Sequence, residues 1–190
     1  GMHHKALGLV DDHHIVVLIA DVQGDILGHQ LHRLRLRQLK GDFVACAGFI
    51  VLLYRRAVDG NLAFFQQRKE YKHLLLTGNS ATGARMKMDV FGLSQYFDFP
   101  HSGFAFNYYY RDDLARNALA IAKKTWGDAI EMAYVIGDTP YDIQCGKAIG
   151  ARTVSVATGR YSYEELAQCA PWKLLHSLPE PETFLKIIEN

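Results

Sequence analysis

The sequence lacks any apolar run long enough to cross a bilayer. Its longest, Phe43 to Tyr54, is 12 residues, against about 20 for a spanning helix, and is expected to be a buried core element. Cysteine is scarce. Cys46, Cys145 and Cys169 form no C-x-x-C pair, and an odd count leaves one over in any disulfide scheme. That argues against a disulfide framework and suits a reducing compartment, with a cytoplasmic location as the expectation. Charge of one sign is missing too: the net is +1 over 190 residues. No global field recruits nucleic acid or a membrane surface, so electrostatic effects must be local. Repeats and low-complexity linkers are absent, and residues 1–190 read as a single domain. Gly1-Met2 reads as a residue left by a tag ahead of a start methionine, and no signal peptide is expected after it.

What is present is globular composition, 49% hydrophobic and 22% charged, in a chain long enough to bury a core. Ile15 to Ala20 and Met132 to Ile136 are short continuous apolar runs, and Tyr71 to Leu76 and Thr153 to Ala157 read as further buried strands of mostly apolar residues. Such runs suit strands buried on both faces of a parallel sheet. Between them lie helical patterns over Asp59 to Lys69, from Ser80 or Ala81 to Met88, over Leu114 to Lys124, and over Tyr141 to Ile149 with Gly150 as cap. Glu164 opens another helix and Pro181 a last one. This alternation predicts an α/β fold: three layers, Rossmann-like, with a central and mainly parallel sheet. The stretch 28–56 fits neither period and is read as an irregular insert.

In open α/β sheets, ligands bind beyond the carboxyl ends of the strands, where the strand order reverses. The residues to inspect are therefore Asp21, Thr77-Gly78-Asn79, Asp138 and Thr158-Gly159. Two carboxylates on neighbouring strand ends repel unless a cation lies between them. Hard cations such as Mg²⁺ take oxygen ligands from carboxylates and substrate phosphate. A magnesium-dependent phosphoryl site follows as the hypothesis.

From Asp59 onward the order of signals resembles the haloacid dehalogenase-like hydrolases, in particular their phosphoglycolate-phosphatase-like branch. Leu74-Leu75-Leu76-Thr77-Gly78-Asn79 is similar to the family's second motif, an apolar strand ending in Thr or Ser. Arg111, before Asp112-Asp113-Leu114, matches the basic residue of the third, with Lys87 as its rival. Gly137-Asp138-Thr139-Pro140-Tyr141-Asp142 is similar to the fourth, a strand followed by Gly-Asp and a second acid. The first motif diverges: where the family has Asp-x-Asp-Gly-Thr, this chain has Asp21-Val22-Gln23-Gly24-Asp25.

The resemblance implies roles for these residues. Asp21 is the nucleophile, forming an aspartyl-phosphate. Thr77, Gly78, Asn79 and Arg111 bind the phosphoryl group, with Thr77 and Arg111 stabilising its charge. Asp21, the Gln23 carbonyl and Asp138 hold Mg²⁺, with Asp142 behind them or on a bound water. Gln23 stands where the acid/base Asp belongs and does neither job. Since such proton transfer contributes about 10²–10⁴-fold, weakened turnover is expected. The substrate is expected to be a phosphorylated small molecule or an exposed phosphoryl group, with no nucleic-acid or membrane partner and an oligomer left open. The interval 28–56 is too short for the usual helical cap, which implies a reduced cap and an open site. The alternative is a catalytically impaired protein of this fold serving as a binding module.

Other features have plainer readings. His3-His4, His13-His14 and His29-x-x-His32 lack partners at a zinc spacing. Arg33, Arg35, Arg37 and Lys40 read as a solvated basic face, and Tyr108-Tyr109-Tyr110 as aromatics straddling core and surface.

Overall fold

The computed structural model describes residues 14–20 as backbone, and residues 57–105 and 110–190 with their side chains, that of Asp128 excepted. Asp21, Gln23, the insert 28–56 and Tyr108-Tyr109 lie outside the described residues.

Six strands form one sheet: β1 (His14–Ala20), β2 (Tyr71–Thr77), β3 (Gly103–Phe104), β4 (Ile130–Gly137), β5 (Arg152–Val156) and β6 (Lys173–Leu175). Their spatial order is β3-β2-β1-β4-β5-β6, and every pairing is parallel. The chain thus builds outward from β1 on one side, then crosses back and builds outward on the other. The reversal falls between β1 and β4, which run in register with Ile19 opposite Ile136. A ligand crevice belongs at their carboxyl ends.

Successive residues of a strand face opposite sides of the sheet. Leu74 and Leu76 of β2 and Val135 of β4 accordingly pack on one face against Leu114, Ala115, Ala118 and Ala122 of α3 (Arg111–Trp126) and Cys145 of α4 (Pro140–Ala148). Tyr71 and Tyr134 pack on the other face against Phe65 of α1 (57–66) and Phe184 and Ile188 of α6 (Pro181–Glu189). Leu75 meets Ala84 of α2 (Ala81–Val90) on that same face. This is the three-layer α/β fold that the alternating periods predict. Among the described residues no helix is long and apolar enough to cross a membrane.

The helix starts follow their sequence signals. Ser80 caps α2, accepting from Gly83 N at 3.1 Å. Asp112 and Asp113 lie in the first turn of α3, and Lys123 and Lys124 in its last, each on the favourable side of the helix dipole. Ser162 and Glu165 form a capping box on α5 (Tyr163–Gln168). Gly103 lets α3 approach β3, since a Cβ there would lie 2.8 Å from the Ala118 Cβ.

Three elements depart from the sequence reading. The edge strands β3 and β6, of two and three residues, are too short to show a period. The helix expected over Asp59 to Lys69 spans 57–66 in the described residues and gives way to a turn before β2.

Candidate active site

Thr77 closes β2 and is 2% exposed. Its Oγ1 accepts from the Asn79 backbone N and from Asn79 Nδ2, both at 3.0 Å. The loop Thr77-Gly78-Asn79 is therefore wound about the threonine hydroxyl, as Ser and Thr side chains do in short turns.

Arg111 is the first residue of α3. Its Nη1 donates to Asp142 Oδ1 at 3.1 Å. Its Nη2 lies 3.7 Å from where a Cβ on Gly78 would stand. One guanidinium thus reaches the loop after β2 and the start of α4 together. Lys87, the rival, sits in the last turn of α2, the end of that helix farther from the Thr77 loop.

Asp138 follows β4 and is buried at 5% exposure. The loop after β5 closes against it: a Cβ on Gly159 would overlap Asp138 Oδ2. Only a glycine lets this backbone come so near the carboxylate.

Asp142, 2% exposed, serves two elements at once. Its Oδ2 accepts from Thr139 N at 3.0 Å and Thr139 Oγ1 at 2.7 Å, and its own backbone N donates to Thr139 Oγ1 at 3.3 Å. With Pro140 in the first turn, this is a capping box that starts α4. The other oxygen, Oδ1, takes the bond from Arg111. Burial pushes the Asp142 carboxyl above its ordinary range, against the opposing pull of the Thr139 hydrogen bonds and the Arg111 charge. Gly137 leaves room for this carboxylate, since a Cβ there would overlap Asp142 Oδ2.

The described structure therefore brings Thr77, Gly78, Arg111 and Asp142 into one cluster, with Asp138 at the end of β4, on the far side of β1 from Thr77, and Gly159 packed against it. Thr139 and Gly159 have a larger part than motif order gave them. The first is legible as a cap residue three before an acid. The second depends on a contact across the sheet that no local pattern reports. On the opposite face of the sheet, a cavity of about 70 Å³ lined by Phe65, His73, Tyr134 and Ile136 reaches Asp138 from below.

Residues 112–181 match the sequence model of a hydrolase-like family described as HAD-hydrolase-like. That stretch begins one residue after Arg111 and includes Asp138, Asp142 and Gly159. No curated protein matches the chain in sequence. Similar solved structures include a predicted phosphatase from Clostridium acetobutylicum, with TM-score 0.61 and 15% identity, covering 94% of this chain and 100% of that one. A haloacid dehalogenase-like family hydrolase from Streptococcus pneumoniae has TM-score 0.59 and 14% identity over 93% of this chain and 99% of that one. A predicted phosphoglycolate phosphatase from Haemophilus somnus has TM-score 0.54 and 16% identity over 82% and 71%. At such identities the likeness is one of fold.

Proposed function

We propose that this chain, which has the haloacid dehalogenase-like fold, is a magnesium-dependent phosphatase-type hydrolase acting through an aspartyl-phosphate at Asp21. The observation that carries the reading is the place of Arg111, which spans from the Gly78 backbone to Asp142. A fork of donors held there suits a phosphoryl group bound over the Thr77 loop.

Asp21 directly follows Ala20, the last residue of β1, whose neighbours in the sheet are β2 and β4. In the proposed reaction an Asp21 oxygen attacks phosphorus, the ester P–O bond breaks, and the alcohol leaves. Water then attacks phosphorus of the aspartyl-phosphate, releasing phosphate and restoring Asp21. Thr77 donates its hydroxyl proton to a phosphoryl oxygen, and Arg111 neutralises charge on the transferring group. Gln23 supplies no proton, so the leaving oxygen takes one from water and the first step is slow.

The donor set fits a hard cation. Asp138 is a buried carboxylate at a strand end, and oxygen donors of this kind suit Mg²⁺. Among the described residues no three His, Cys, Asp or Glu side chains gather as a metal site, so Asp21 and the Gln23 carbonyl are the proposed further ligands. Asp142 fits the metal set less directly. Its oxygens already accept from Thr139 and Arg111, which supports a positioning role behind Arg111 or on a bound water. Mg²⁺ held by these residues would supply positive charge to offset that of the phosphoryl oxygens. The substrate is a phosphorylated small molecule or an exposed phosphoryl group, and 28–56 serves as a reduced cap.

The substitution at Gln23 favours a second reading, a binding module that keeps the fold without efficient turnover. Hydrolysis of a generic phosphate ester with and without Mg²⁺ separates the two. The enzyme reading expects metal-dependent turnover that Asp21→Asn abolishes and Gln23→Asp raises by about 10²–10⁴-fold. Silence from wild type and Gln23→Asp alike sinks it and leaves the binding module.

A further inference from the structure

Among the described residues the exposed large apolar side chains are Met86, Val90, Tyr110 and Tyr141. Single exposed apolar residues are ordinary on a protein surface. The two tyrosines are not scattered. Tyr110 immediately precedes Arg111 and Tyr141 immediately precedes Asp142, the two ends of one 3.1 Å ion pair.

Tyr141 is also tied to that pair through its ring. The Arg111 guanidinium carbon lies 5.7 Å from the Tyr141 ring centroid, within the reach of a cation–π contact. The ring nevertheless stays 56% exposed, and Tyr110 68%. A flat aromatic surface therefore stands in water directly beside the group that would hold a phosphoryl oxygen. Tyrosine suits such a place, since it offers a rigid apolar face at small cost in rotamer freedom and keeps its hydroxyl in water.

We propose that Tyr141, with Tyr110 next to Arg111 in sequence, forms an aromatic rim that stacks on a planar ring carried by the substrate. The substrate class is then an aromatic phosphate monoester, its phosphoryl group on Arg111 and the Thr77 loop and its ring against Tyr141. This inference rests on the phosphoryl-binding reading above. The Arg111 guanidinium that would take the phosphoryl group is 5.7 Å from the Tyr141 ring centroid, so the substrate called for is one whose ring lies close to phosphorus. Offset or edge contacts operate at centroid separations of about 4.5–7 Å.

Equilibrium binding by titration calorimetry in the presence of Mg²⁺ tests it without requiring turnover. Inorganic phosphate, methylphosphonate and phenylphosphonate are compared on wild type, Tyr141→Ala, Tyr141→Phe and Tyr110→Ala. The rim predicts that phenylphosphonate binds about three- to tenfold tighter than methylphosphonate. That ratio falls to about one in Tyr141→Ala, survives in Tyr141→Phe, and shrinks in Tyr110→Ala. Equal affinity for all phosphonates, with phosphate binding intact, overturns the rim and leaves the phosphatase reading standing. Failure of inorganic phosphate to bind removes the phosphoryl site itself, and with it both readings.

Discussion

Arg111 is the residue on which the candidate site turns, because it contacts two strand-end loops that are distant in sequence. Arg111→Ala withdraws the positive charge from the phosphoryl position and should lower kcat by about 10²–10³-fold. The same change leaves the buried Asp142 carboxylate without its cation. Steady-state kinetics and denaturant melts on one sample should therefore both respond, the second by about 1–3 kcal/mol. A drop in kcat with unaltered KM and unaltered stability would contradict the double role. Gly159 invites a different test. A methyl group there collides with Asp138 Oδ2, so Gly159→Ala should weaken Mg²⁺ binding by about 10–100-fold, as read by metal titration. Unchanged Mg²⁺ affinity would remove Asp138 from the metal set. At this scale the sequence was partly legible. Asp138 and Asp142 follow from a motif whose spacing encodes a helix start. Gly159 is marked there only as the end of a strand and Tyr141 not as a site residue, because their contacts come from neighbours brought close only by the sheet and by the pairing of α3 with α4.

Among the elements, α4 shows how a short helix is specified at its first turn. Thr139 and Asp142 exchange hydrogen bonds across the start of the helix, and Pro140 fixes the first φ there. Thr139→Ala removes the cap and one donor to a buried carboxylate, and should cost about 1–3 kcal/mol. Thr139→Ser restores most of it, and comparison of urea midpoints at constant slope reads both. If Thr139→Ala melts like wild type, the capping box contributes nothing to α4. The central strands were readable for a related reason: β2, β4 and β5 are largely buried and carry short apolar stretches, Leu74 to Leu76, Met132 to Ile136 and the valines of β5. Edge strands β3 and β6 are covered by few neighbours and are too short to carry a run. Their placement comes from pairing, as where Gly103 joins Leu76 and Lys173 joins Val154. Helix α3 was legible as an apolar stripe, yet its true start at Arg111 lay three residues before the stripe begins.

For the molecule as a whole, the strand order places the crevice, while a buried histidine on the opposite face makes stability depend on acid. His73 lies on β2 at 6% exposure, and burial holds its pKa down to about 4, against a weaker raising effect from a hydrogen bond to the Tyr96 backbone. In the unfolded chain it titrates near the ordinary value of 6.5. Above that pH both states are neutral and the stability is fully present. As pH falls from 6.5 towards 4 only the unfolded chain takes the proton, so stability declines by about 1.4 kcal/mol per pH unit, reaching about 3 kcal/mol. His73→Gln should flatten the slope of melting free energy between pH 6.5 and 4. A slope identical to wild type would place the acid sensitivity elsewhere.

The doubled duty of Asp142 has a bearing on what its motif means. Its carboxylate closes the first turn of a helix and anchors an arginine, so folding alone gives Gly137, Thr139, Pro140 and Asp142 a reason to stand where they do. A match to the β4–α4 signature therefore reports a way of starting a helix as much as a chemistry, and turnover has to be measured at Asp21.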